Sequence, residues 1–149
     1  MKKIIAAKIK ISSEIETVDS QGLAEGDAEK TESEASGFFH YSPEKMLLTY
    51  SETAESGRVD SEIEIEGERV TVRRRGALES ELIFEESKTN HSLYKIPPYA
   101  FDAAVTTKKI RRNLSEDGGS LVLFYTMNIG GADKSARMKI WISPDSKTL

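Results

Sequence analysis

Two charged residues stand on the apolar side of otherwise amphipathic segments: Glu52 in "KMLLTYSE" and Arg74 in "VTVRRRG". An arginine aimed into a protein can take a carboxylate or phosphate through its planar fork of donors, and an inward glutamate can neutralise it. Three tyrosines, Tyr50, Tyr94 and Tyr125, can supply apolar rings with polar tips, the make-up of a small-molecule pocket. Together these five residues are the candidate ligand-binding set, and a small, partly apolar anion bound inside the fold is the chemistry they suit. The alternative role for Glu52 and Arg74 is a buried ion pair that plugs one end of the fold, since an inward charge is costly unless paired.

Other chemistry finds no support. There is no nucleophile elbow, phosphate loop, dinucleotide fingerprint or metal-ligand spacing, so no catalytic residue, metal or cofactor is assigned. The two histidines, His40 and His91, fall on different segments, and nothing brings a substrate within hydrogen-bond reach of a histidine–Glu52 pair.

What positions the five candidates is a succession of strands. In "RVDSEIEIEGERVTVRRRG", Val59, Ser61, Ile63 and Ile65 alternate with Asp60, Glu62, Glu64 and Glu66, as a strand with one wet face requires. The same period of two runs through Lys3 to Thr17, Ser33 to Tyr41, Lys45 to Glu52, Leu78 to Glu86, His91 to Ile96, Ala100 to Arg112, Ser120 to Ile129 and Ala136 to Ser143. No segment has a helical period. Short connectors such as "SPEK", "EDGG" and "GGADK" carry turn chemistry, so consecutive strands pair as hairpins. Many strands joined in order by tight turns predict an all-β fold, an antiparallel up-and-down meander of about eight to ten strands closing into a barrel. Pro97-Pro98 marks an exposed corner or edge, because neither residue can donate to a ladder.

On such a strand the three arginines separate. Arg74 shares the inward parity of Val70 and Val72, whereas Arg73 and Arg75 point to solvent with Thr71. A two-residue turn at Glu66-Gly67 sets Val59 opposite Arg74. The looser connection from Thr53 to Gly57 leaves either Glu52 or Tyr50 level with Arg74, one intervening strand and about 10 Å away at the backbone.

A single domain over residues 1–149 is expected, with 38% hydrophobic residues to build an ordinary core and no cysteine. The absence of cysteine excludes disulfides and thiol chemistry and suits a cytoplasmic location. The opening run Ile4 to Ala7 is stopped by Lys8, too short for a secretory signal, and no stretch is long and apolar enough to span a membrane as a helix. From Asp19 to Glu34 the chain has six acids and one base, a polar segment within or between the first two strands.

Several short motifs, in order, resemble the uncharacterised YwiB-like bacterial family: "GFFHY" with Gly37 and Phe38, Tyr50-x-Glu52, Arg74-x-Gly76, "LYKIP" with Tyr94 and Pro97, Thr107 with Ile110, and "GGSLVLFYTMNIGG" with Tyr125. They span about residues 37 to 142. The resemblance implies a calycin-like, lipocalin-type barrel in the cytosol and brings no activity or cofactor with it. Residues 1 to 36 match only as a strand pair, and "IPPYAFD" departs from the family's looser corner.

The competing functional reading is a structural or interaction module that meets a protein or RNA partner through its outer surface, using Arg73, Arg75, Arg111 and Arg112. Against RNA stand the net charge of −4, the division of the basic runs between strand faces, and the lack in the chain of the aromatic and basic interleaving of a stacking platform.

Overall fold

A computed structural model describes residues 2–17, 29–54 and 57–145. The acidic segment therefore lies largely outside the described residues, although its last part forms the start of the second strand.

Ten strands follow one another: β1 Lys3–Thr17, β2 Glu29–Tyr41, β3 Lys45–Ala54, β4 Gly57–Glu66, β5 Arg69–Gly76, β6 Ser80–Phe84, β7 Thr89–Ile96, β8 Tyr99–Ser115, β9 Gly118–Ile129 and β10 Ala132–Pro144. All pairings are antiparallel between sequence neighbours, and β1 also pairs with β10, so the sheet order is β6-β5-β4-β3-β2-β1-β10-β9-β8-β7. The sequence-predicted meander is observed as a nearly closed barrel. Its second strand starts at Glu29 rather than Ser33, because Glu29 to Glu32 continue the ladder against Ser12 to Ile15. Among the described residues, no helix is long and apolar enough to cross a membrane.

Closure is incomplete in one place. Between β6 and β7 a single bridge joins Glu79 and Lys95, with backbone bonds of 2.9 and 2.8 Å. At the other end the Asn90 amide donates to the Ile83 carbonyl at 3.3 Å, and Ser87 N–H to the Thr107 carbonyl at 2.9 Å. Between these stitches lies a slot in the wall.

Alternation fills the interior. Ile9, Phe39, Ile63, Val72, Phe84 and Leu123 are among the side chains with no meaningful exposure, each from the inward parity of its strand. A bulge switches the inward parity on β8 from odd to even positions: Thr107 pairs with Tyr125 and Lys109 with Phe124, which leaves Lys108 unpaired. Beyond the bulge Ile110 and Arg112 face the interior side, opposite Leu123 and Leu121.

The β4–β5 hairpin corrects the expected register. Glu66 pairs with Arg69, so the turn residues are Gly67 and Glu68, and paired positions shift by one step along the ladder. Gly67, with φ +60°, takes the first central position of the turn, where only glycine is at ease. Arg74 therefore faces Ser61, not Val59. The shift spans two residues, so the inward parity of Arg74 survives.

Candidate functional site

Strands β1, β3, β5, β7 and β9 end at one mouth of the barrel, and every candidate ligand-binding residue belongs to this end. One row of inward positions crosses the ladders there: Ser80 pairs with Arg74, Arg74 with Ser61, Ser61 with Tyr50, Tyr50 with Gly37 and Gly37 with Ala7. Large and small alternate. Serine, glycine and alanine leave the room that the Arg74 and Tyr50 side chains occupy. At Gly37 the approach is close enough that an added Cβ would collide with the Thr49 carbonyl and the Tyr50 Cβ.

Tyr50 and Tyr125 are both buried. Burial pushes the Tyr50 phenol above its ordinary value; the Arg74 cation pulls it partly back, and the Glu52 carboxylate adds to the rise. Tyr125 behaves alike, raised by burial, restrained by Arg74 and raised slightly by Tyr94. Its ring stands edge-on to Phe84, centroids 4.9 Å apart. Both tyrosines thus sense the charge of Arg74, one from β3 and one from β9. Tyr94 is half-buried on β7, opposite Phe101.

The Glu52–Arg74 ion pair is not formed. Glu52 is half-buried and pairs with Val59, one step nearer the rim than Tyr50, and among the described residues no carboxylate lies within 4.0 Å of the Arg74 guanidinium. The register explains this: Tyr50, not Glu52, is level with Arg74.

Around Arg74, polar groups are left without partners. The buried hydroxyls of Ser80, Ser92 and Thr107 make no hydrogen bond, and that of Ser61 makes none of good geometry, although Ser61 and the Arg74 guanidinium both lie close enough to the Tyr50 phenol to favour its ionised form. Arg74, Ser80 and Ser92 also line a groove of about 450 Å³ that straddles the β6–β7 slot, with Arg75, His91 and Lys95 on its outer margin. His91, which the sequence places only as a strand residue without a catalytic partner, is part of this groove. It lies on the outward parity of β7, and only the slot brings that face beside Arg74. His40 sits elsewhere, beside Ile4 and Leu47 on the outer surface near the other mouth. Above the groove, the β7–β8 hairpin carries Ile96, Tyr99 and Phe101, all substantially exposed, with the last two rings stacked at 6.4 Å.

The neighbouring arginines have other fates. Arg73 bonds Glu64 at 2.9 Å and Glu81 at 3.0 Å and lies 3.8 Å from Glu62, so it anchors a network across three outer strands. Arg75 is exposed. Arg112, expected at the surface with Arg111, turns to the opposite mouth and donates to the Gly67 carbonyl at 2.7 Å. The four arginines of the outer-surface reading therefore do not share one face. Among the described residues, no cluster of three histidines or acids could hold a metal ion.

Three comparisons agree with this architecture. The chain is 26% identical over 106 residues to the uncharacterised β-barrel protein YwiB of Bacillus subtilis (strain 168), an alignment covering 71% of the chain and 75% of that protein. The crystal structure of the YwiB protein from Bacillus subtilis superposes with a TM-score of 0.82 at 24% identity, covering 96% of this chain and 94% of that one, which establishes the shared barrel. The sequence profile described as "Domain of unknown function (DUF1934)" matches residues 9–142, nearly the whole length of the barrel strands. The chain belongs to that DUF1934 family.

Proposed function

We propose that the protein binds a small, partly apolar anion at the mouth of its barrel, in the groove over the β6–β7 slot. The observation that carries this reading is Arg74: an inward, half-buried cation with no acid within 4.0 Å among the described residues, beside the Tyr50 hydroxyl and a buried Ser80 hydroxyl that makes no hydrogen bond. Proteins rarely leave a cation so placed, and a bound carboxylate or phosphate would take both the guanidinium fork and the free hydroxyl donors. Tyr50 and Tyr125 are buried and, like Tyr94, do not line the groove; apolar surface for the rest of the ligand comes from Leu93, which does line it, and from the exposed rings of the β7–β8 hairpin. Glu52 sits at the rim, where it disfavours ligands with a second negative charge near it. The ligand sits at the mouth and not inside the barrel as expected from sequence, because the interior beyond Tyr50 and Tyr125 is filled by residues such as Leu48, Val72 and Phe84.

A thermal-shift screen of carboxylates and phosphates with apolar tails tests the reading. Compounds that stabilise the wild type and lose that effect in Arg74→Met support it. A screen without hits, or hits that stabilise the variant equally, would refute it.

A further inference from the structure

The outer wall formed by β8, β9, β10 and β1 differs in charge from the rest of this acidic chain. Trp141 on β10 pairs with Lys10 of β1, and the ammonium groups of Lys10 and Lys139 lie 5.7 and 4.6 Å from the centre of its ring. Two steps along, Arg137 pairs with Phe124 of β9, and the Arg111 guanidinium lies 5.8 Å from that ring. Val122, facing Lys139 on one side and Arg111 on the other, forms the floor between the two aromatics. Here the groove has a volume of about 340 Å³. Arg137 is bonded to Glu14 at 2.7 Å, but among the described residues Lys10, Lys139 and Arg111 have no acid within 4.0 Å. The interleaving of aromatic and basic residues that no single strand provides is assembled across four strands.

We propose that this wall is a docking platform for single-stranded nucleic acid, with bases stacking on Trp141 and Phe124 and phosphates meeting Lys10, Lys139 and Arg111. The partner's class follows from charge and shape together. Unpaired cations on a protein of net charge −4 call for a polyanion, and two rings whose backbones lie about 14 Å apart on one wall suit unpaired bases rather than a duplex, whose bases are stacked away. A chain of carboxylates would use the cations and leave the rings idle. This platform lies on the outside of the barrel and does not depend on the anion site at the mouth.

The test is fluorescence anisotropy of a short fluorescein-labelled oligouridylate with the full chain. With three phosphates neutralised, affinity is expected to fall about 20-fold between 50 and 200 mM salt. Trp141→Thr is expected to weaken binding about tenfold, as the loss of one stacked base implies, while Trp141→Phe retains most of it. Lys139→Gln with Arg111→Gln is expected to weaken binding at 50 mM salt and to cut its salt dependence to about a third, whereas Arg58→Gln, on β4, leaves both unchanged. Far-UV circular dichroism verifies that each variant is folded. No binding at 50 mM salt overturns the proposal. So does binding that survives in folded Trp141→Thr and is displaced equally by polyglutamate, since that would be charge attraction alone.

Discussion

Tyr50 and Arg74 occupy one level of the barrel wall, separated only by Ser61, which pairs with both. The arginine is thereby held beside a buried phenol and away from Glu52, whose own partner is Val59. The stability of variants should register this. A buried ion pair broken on one side typically costs about 3 to 5 kcal/mol. Without the pair, Arg74→Met removes an uncompensated cation and is expected to change stability by no more than about 1 kcal/mol, in either direction. In urea unfolding, the double variant with Glu52→Gln is expected to show a coupling energy below about 1 kcal/mol.

Arg73 and Arg75 share a face but not a fate. Arg73 ties together Glu62, Glu64 and Glu81, so Arg73→Gln is expected to destabilise by about 1 kcal/mol, as a network of partly exposed pairs can. Arg75→Gln is expected to stay within about 0.5 kcal/mol. The same network sets a pH dependence. Hydrogen bonding to Arg73 holds the Glu64 carboxyl below its ordinary 4.5, so its contribution is fully present above that value and is lost as the pH falls through the lower folded value. Acid titration of unfolding free energy should therefore be shallower near pH 4 in Arg73→Gln than in the wild type.

Tyrosine ionisation reports on the arginine directly. Burial raises both Tyr50 and Tyr125 above the ordinary 10.0, and the Arg74 charge opposes the rise. A group whose folded value is raised stabilises the fold below its unfolded value, and that stability is lost as pH climbs through the folded one. Followed by ultraviolet absorbance, the late tyrosine transition is expected at higher pH in Arg74→Met than in the wild type. An unchanged transition would mean that the charge does not reach these phenols.

Gly37 tests the packing of the same row. Its backbone lies against Thr49 and Tyr50, and an added methyl group has no room. Gly37→Ala is expected to destabilise by about 1 to 3 kcal/mol, the usual cost of overpacking. Gly67→Ala, which meets no neighbour but has φ +60°, is expected to cost less than that and to act through turn strain alone.

The strands were legible because period two dominates every segment, and even Arg74 declared its direction by standing two residues beyond Val72. Register was less so. "EGE" permits a turn with glycine first or second, and the two choices differ by one pairing step, which moved Arg74 from Val59 to Ser61. The bulge at Lys108 has no sequence mark, so the side taken by Arg112 could not be read. His91, the slot, and the cluster of Trp141 with Lys10 depend on strands far apart in the chain, and a period along one strand carries no information about its neighbour.

The central claim is that Arg74 is held free for an anion. Nitrogen-15 NMR of the arginine side chains tests it most directly, with the Arg74 Nε–H signal assigned by its absence in Arg74→Lys. On titration with a medium-chain carboxylate, that signal is expected to shift and saturate while the Arg75 signal stays in place. If Arg74 does not move, or if all exposed arginines shift alike without saturation, the mouth of the barrel is not a binding site.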